Sequence, residues 1–300
     1  MSTVAEPFET YRAYLFAVAY RMLGSAMDAE DMVQETYIRY HAAPKDDIRS
    51  LKAFLVTIIC RLCVDQQQLA RRTREQYLGP WLPEPIITGE TQHAVDPEER
   101  ADMNGSISIA FLTLLERLQP IERAVFLLRE VFDYDYAEIA AFLDKSEAAC
   151  RQLFSRAKRH LADRQARFAA SPEIHRRLLT SFTQAVRVGD LDALMDLLAE
   201  EVTFVADGGG KVKGVATHPL SGRAEVAAFI VESSPVFRST LPEDARGELT
   251  QVNGQPAMVT RNNERAFSVL TIEAAAGRIQ SIRFMANPDK LVHVSRGKAS

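Results

Sequence analysis

Between Ala137 and Leu161 the chain reads AEIAAFLDKSEAACRQLFSRAKRHL, two apolar runs at helical spacing parted by Asp144-Lys145-Ser146. Three residues leave room only for a tight turn, and Ser146 stands where its hydroxyl would accept from the first N–H groups of the second helix. On that helix Cys150, Leu153, Ala157 and Leu161 share one face, which leaves Arg151, Gln152 and Ser155 on another. Gln matches the donor and acceptor of adenine and Arg the two acceptors of guanine, so such a helix suits a DNA major groove. From Lys145 to Arg164 six basic residues (Lys145, Arg151, Arg156, Lys158, Arg159, Arg164) face two acidic ones, Glu147 and Asp163. Positive charge gathers toward the helix C-terminus, where phosphate contacts position the reading end. The plainer alternative is a helical hairpin with a solvated basic face.

A second basic cluster, Arg71-Arg72-Thr73-Arg74, ends a helix expected from about Leu51 that also carries Lys52 and Arg61. Alone, such a cluster complements a helix dipole. With Lys52 and Arg61 it makes a second candidate DNA surface. Asp28, Asp31 and Glu35 share one face of a helix expected to begin at Ser25, and taken by themselves read as a solvated acidic face.

No metal or cofactor is expected. The six histidines are scattered, and Cys60 and Cys63, though spaced C-x-x-C, lie in the apolar run VTIICRLCV, so these and Cys150 read as core thiols. Asp207-Gly208-Gly209-Gly210-Lys211 is followed by Val212, so it is not a Walker A loop. The net charge of -4 excludes a uniformly basic protein and leaves local nucleic-acid surfaces open, because charge acts over about 8–10 Å. Without an N-terminal leader pattern or a long apolar span, the chain is expected in the cytoplasm, with no membrane partner.

The periodicity divides 300 residues into parts. Residues 1–75 read as an all-helical block and 106–166 as another. Between them, 76–105 is a linker by composition, punctuated by Pro80, Pro83, Pro85, Pro97, Gly79 and Gly89. From 172 to 294 helices at Glu173–Arg187, Leu191–Ala199 and Arg223–Glu232 alternate with strand-like runs. A strand VTFVA, a hairpin turn at Asn253-Gly254, a strand at Phe267–Thr271 and a turn at Gly277 give an α+β domain with an antiparallel sheet.

Two helical blocks, the first with an acidic helix and the second with a basic helix-turn-helix, resemble the sigma factors of the extracytoplasmic-function group. The resemblance rests on GSAMDAEDMVQETYIRYH and LKAFLVTIICRLCVDQQQLARR for region two and YDYAEIAAFLDKSEAACRQLFSRAKRHL for region four. It implies that Asp31, Gln34 and Glu35 contact RNA polymerase and that Lys52, Arg61, Arg71, Arg72 and Arg74 face the minus-ten element. It likewise implies that Arg151, Gln152, Ser155, Arg156, Lys158 and Arg159 face the minus-thirty-five element. Core RNA polymerase and promoter DNA are therefore the expected partners. The chain departs from the family at Phe54, where Trp is common, and at Arg61, where Asn is common.

Three further stretches resemble the subgroup with a fused C-terminal SnoaL-like cone domain: Trp81-Leu82-Pro83-Glu84-Pro85, Asp207-Gly208-Gly209-Gly210-Lys211 and Asn287-Pro288-Asp289-Lys290-Leu291. The resemblance implies a multidomain fold, two all-α sigma domains plus an α+β SnoaL-like domain that regulates them. Proline holds the linker extended, so it loses little entropy on docking, and Trp81 is the expected apolar anchor. A small-molecule or protein ligand of the last domain is the remaining candidate partner. Two alternatives stand beside this reading. One is a ligand-sensing helix-turn-helix regulator independent of polymerase. The other is an enzyme using Asp207, Glu201 or His218, for which no catalytic spacing is present.

Overall fold

The structure is a computed structural model that describes residues 5–45, 48–74, 77–88, 107–162 and 171–296, with the side chains of 5–6, 71–74, 162, 172 and 296 left out. The chain divides into two compact units, one formed by the helices before residue 75 and those from Phe111 to 162, the other by residues 77–88, 107–110 and 171–296.

In the first unit α1 (Ala5–Leu23), α2 (Ala26–Ala42) and α3 (Leu51–Arg74) pack through Phe8, Leu15, Val18, Val33, Leu55 and Ile59, all buried. Ser25 caps α2 by accepting from Asp28 N–H at 3.1 Å, as its position in the sequence predicts. A short α4 (Ile109–Leu115) leads to α5 (Pro120–Glu130), α6 (Tyr136–Leu143) and α7 (Glu147–Ala162). Pro120 opens α5, where its missing N–H costs nothing.

In the second unit α8 (Pro172–Val188) and α9 (Leu191–Leu197) precede β1 (Leu198–Asp207) and the two-residue β2 (Leu220–Ser221). Next come α10 (Arg223–Arg238), β3 (Arg246–Val252), β4 (Gln255–Arg261), β5 (Ala266–Ala275), β6 (Arg278–Met285) and a final α11 (Val292–Arg296). The sheet order is β2-β1-β6-β5-β4-β3. It is mixed and not antiparallel throughout, because β1 runs parallel to β6, with Phe204 beside Ile282. Four strands linked by three hairpins after α10 bring the chain back beside β1 in the same direction, which an element list does not disclose.

Two element ends also differ from the periodicity. β1 begins at Leu198, inside the stretch expected to finish a helix, since Leu198 and Val202 are fully buried in the core and the run gains a neighbour in β6. Helix α10 continues past Glu232 through Pro235 to Arg238, where Phe237 packs edge-on against Phe284 with ring centres 5.0 Å apart. That packing outweighs the loss of one helical hydrogen bond.

Side chains alternate across the sheet. Val202, Phe204 and Ala206 join Leu179, Phe182, Leu194 and Val226 in the core beneath α8, α9 and α10. Val205, on the opposite pleat, packs with Val259, Val269 and Met285 in a second core completed by Leu82 and Ile109 from before the domain and by Leu291 and Val294 from its end.

Candidate functional site

Helix α6 is fixed at its start by reciprocal bonds, Glu138 N–H to Asp135 Oδ1 at 2.8 Å and Asp135 N–H to the Glu138 carboxylate at 3.0 Å. It stops at Asp144 in the left-handed region (φ 53), and Ser146 Oγ accepts from Ala149 N–H at 3.2 Å to start α7. Cys150, Leu153, Ala157 and Leu161 are buried, so Arg151, Gln152, Ser155, Arg156, Lys158 and Arg159 are left exposed. Arg151 is held upright by Glu147 at 2.8 Å and lies 5.0 Å from the Tyr136 ring centre. Arg156 and Lys158 approach Glu122 and Glu130 at 3.6 and 3.5 Å. Glu122 is buried, whereas the pairs of Arg151 and Lys158 are exposed on both sides, so these two are worth little and yield readily to phosphate.

On α2, Asp31 and Gln34 are exposed, and Glu35 pairs with Arg39 one turn on at 2.8 Å. Helix α3 carries Lys52, Phe54 and Arg61, and its last turn holds Arg71, Arg72 and Arg74, whose side chains lie outside the described residues.

The two helical blocks do not stand apart as the sequence suggests; they pack together. Arg61 donates from Nε to the Phe142 carbonyl at 2.9 Å and from Nη2 to the Ala141 carbonyl at 3.4 Å, at the end of α6. Arg123 on α5, 3% exposed, donates from Nε and Nη2 to the Arg21 carbonyl on α1 at 3.1 and 2.9 Å and pairs with Glu116 at 2.5 Å. Burial pushes the Arg21 guanidinium down to about 10, and it sits 5.5 Å from the Phe132 ring centre. The Tyr14 and Tyr134 hydroxyls meet at 2.8 Å, with the Lys52 ammonium 4.8 and 5.5 Å from the two ring centres. Burial and this mutual bond raise the Tyr14 phenol. Lys52 and Arg61, read as DNA contacts, are thus engaged within the chain in this arrangement.

The three stretches WLPEP, DGGGK and NPDKL converge in the second unit. Asp207 is fully buried and its carboxylate is surrounded. Oδ1 accepts from Tyr77 O–H at 2.5 Å and Gly209 N–H at 3.1 Å, and Oδ2 from Leu82 N–H at 2.8 Å and Lys290 Nζ at 2.7 Å. Lys290 also donates to the Leu82 carbonyl at 2.7 Å, so one ion pair grips both backbone groups of Leu82. Asn287 Nδ2 donates to Tyr77 Oη at 2.7 Å, and Lys211 pairs with Asp289. Gly209 (φ 57) and Gly210 (φ 70) lie in the left-handed region that favours glycine, and at Gly209 a Cβ would also stand 2.5 Å from Asn287 Nδ2.

The apolar anchor differs from expectation. Leu82 is 1% exposed and its neighbours Pro83, Glu84 and Pro85 are buried, whereas Trp81 is half-buried with the Lys290 ammonium 4.0 Å from its ring centre. A leucine fits the space between sheet residues, and the larger indole serves as a lid on the charge. Tyr77, which no motif singles out, lies four residues before Trp81. Its phenol is raised by burial and by the bond to Asp207.

Residues 7–75 match the Sigma-70 region 2 family and residues 108–161 the Sigma-70, region 4 family. Over 291 residues the chain is 34% identical to the ECF RNA polymerase sigma factor SigJ of Mycobacterium tuberculosis, covering 94% of this chain and 91% of that protein. The chain belongs to the extracytoplasmic-function sigma factors. A probable ECF sigma factor of the same organism, SigI, is 33% identical over 96% of this chain and 94% of its own. The crystal structure of SigJ aligns with 95% of this sigma factor and 97% of that chain, at a TM-score of 0.70 and 31% identity, so the similarity runs through the C-terminal α+β domain as well.

The groups considered for catalysis in this sigma factor are separated. Asp207 points away from the helix-covered core, on the pleat opposite Phe204 and Ala206, and its oxygens are occupied by the linker. Glu201 and His218 are exposed. Among the described residues no group of His, Cys, Asp and Glu is arranged to hold a metal. Cys60, Cys63 and Cys150 are buried thiols, and burial pushes Cys60 up to about 12. The native protein is therefore expected to react with an aromatic disulfide reagent far more slowly than the urea-unfolded chain, with thiolate release at 412 nm as the readout.

Proposed function

We propose that this sigma factor recruits core RNA polymerase through Asp31, Gln34 and Glu35 and reads a two-part promoter with its two helical blocks. Arg151, Gln152 and Ser155 face the minus-thirty-five bases, and Arg156, Lys158 and Arg159 its phosphates. Lys52, Arg61, Arg71, Arg72 and Arg74 face the minus-ten element. The observation that carries the reading is the α7 face, six exposed polar or basic side chains backed by four buried apolar ones.

Replacing Arg151 or Gln152 with alanine is expected to lower run-off transcription by about fivefold to 150-fold, through the loss of about 1–3 kcal/mol of base discrimination. Replacing Lys158 is expected to weaken binding to all sequences alike and lessen its salt dependence by about one ion. Run-off assays with purified core polymerase, repeated across salt concentrations, read both effects. Retained transcription with both base-reading side chains removed would overturn the assignment of α7. Duplex binding without any need for polymerase would favour an operator-binding regulator.

The C-terminal domain regulates this activity by holding the linker. The minus-ten and minus-thirty-five elements lie about 25 base pairs, roughly 85 Å, apart on B-DNA at about 3.4 Å per pair. A compact unit of roughly 130 residues has a radius of gyration of about 14 Å, so the packed blocks must part before both elements are bound. The linker bound at Asp207 and Lys290 sets how far they part. Run-off transcription by the full chain and by a chain ending near Ala170 compares the regulated with the unregulated protein; equal activity from both would remove the regulatory role.

A further inference from the structure

The Asn253-Gly254 turn between β3 and β4 joins more than two strands. Asn253 is 1% exposed and in the left-handed region (φ 52). Its backbone N–H donates to the Ile86 carbonyl at 2.9 Å, and its Oδ1 accepts from Ile86 N–H at 3.0 Å. Its Nδ2 donates to the Ile107 carbonyl at 2.7 Å. Beside it, Thr88 N–H donates to the Gln251 carbonyl at 3.0 Å and Gly254 N–H to Thr88 Oγ1 at 2.9 Å. One side chain thus holds Ile86, in the linker, and Ile107, at the start of the second block, which 20 residues separate in sequence.

We propose that Asn253 is a positioning residue for promoter recognition, tying the two ends of the joint and thereby fixing the spacing between promoter elements that this sigma factor accepts. The proposal rests on the reading that both blocks contact the promoter. Only asparagine combines tolerance of the left-handed conformation with an acceptor and a donor on so short a stem. Aspartate keeps the bond to Ile86 but sets a carboxylate oxygen against the Ile107 carbonyl. Glycine keeps the turn and loses both side-chain bonds. With the Ile107 carbonyl released, Ile86 and Ile107 are no longer held at one point, and the separation they set varies by more than the roughly 3.4 Å that one base pair adds. A tied joint therefore discriminates spacings that an untied one does not.

The test is run-off transcription with core polymerase and the full chain on promoters whose two elements are moved apart and together in single base-pair steps. Wild type is expected to show one sharp maximum. Asn253→Gly is expected to raise the yield at spacings two base pairs off that maximum, relative to it, by about fivefold to tenfold, the population change that losing one or two buried hydrogen bonds produces. Asn253→Asp is expected to flatten the profile in the same way, which assigns the effect to the Ile107 arm. Thr88→Val leaves both arms in place and is expected to keep the wild-type profile. A purely structural role would scale every spacing equally. Wild-type profiles from Asn253→Gly and Asn253→Asp, both folded by circular dichroism, would overturn the tie while leaving two-block promoter reading intact. Wild-type yield that ignores spacing altogether would remove the promoter reading and the tie together.

Discussion

Lys290→Ala is expected to destabilise the C-terminal unit by about 3–5 kcal/mol, because it removes the charge partner of a fully buried Asp207 carboxylate. Tyr77 O–H, Leu82 N–H and Gly209 N–H remain to share that charge, which places the loss toward the lower end. The Leu82 carbonyl loses its donor in the same change, so the linker is expected to leave the sheet before the domain unfolds. Urea titration followed by the fluorescence of Trp81, the single tryptophan, reads both steps. The double change Asp207→Asn with Lys290→Met is expected to recover much of the loss, since removing both charges leaves neither uncompensated. A Lys290→Ala protein with the wild-type urea midpoint would show that the ion pair does not hold the linker.

Arg123→Met is expected to have the second large effect, on the packing between the two helical blocks. It removes both bonds to the Arg21 carbonyl and the pairing with Glu116 at 2.5 Å, a loss of about 1.5–3 kcal/mol, the worth of hydrogen bonds from a charged donor. The blocks are expected to separate, with the radius of gyration from X-ray scattering rising and helical content largely kept. Because opening then costs less, apparent affinity for core polymerase is expected to tighten tenfold or more, at about 1.4 kcal/mol per decade. Tyr14→Phe, which removes only the bond to Tyr134, is expected to act in the same direction by about 1 kcal/mol or less. An Arg123→Met protein as compact as wild type, with unchanged polymerase affinity, would mean that this contact does not govern access to the promoter-bound form.

The parts of the site that local chemistry dictates were legible. Ser25 and Ser146 sit as helix caps because a hydroxyl one residue outside a helix finds free N–H groups within reach. The exposed face of α7 follows from the spacing of Cys150, Leu153, Ala157 and Leu161. The Asn253-Gly254 turn was legible as a turn, while the Ile86 N–H and the Ile107 carbonyl that its side chain bonds were not, since both are distant in sequence. The start of β1 was hidden because Leu198-Ala199-Glu200-Glu201 has good helical propensity, and only the neighbouring β6 makes it a strand.

By itself the sequence determined the helical blocks and the polarity of their faces, because periodicity, capping and turn chemistry act within a few residues, while the three stretches of the linker and last domain stood out only by resemblance to a family. Tertiary structure alone decided that Asp207 and Lys290 clamp Leu82, that Trp81 is a half-buried cover, and that Arg61 and Arg123 hold one block to the other. Those outcomes depend on desolvation and on which carbonyl a buried charge meets. Neither is fixed until the chain has closed on itself.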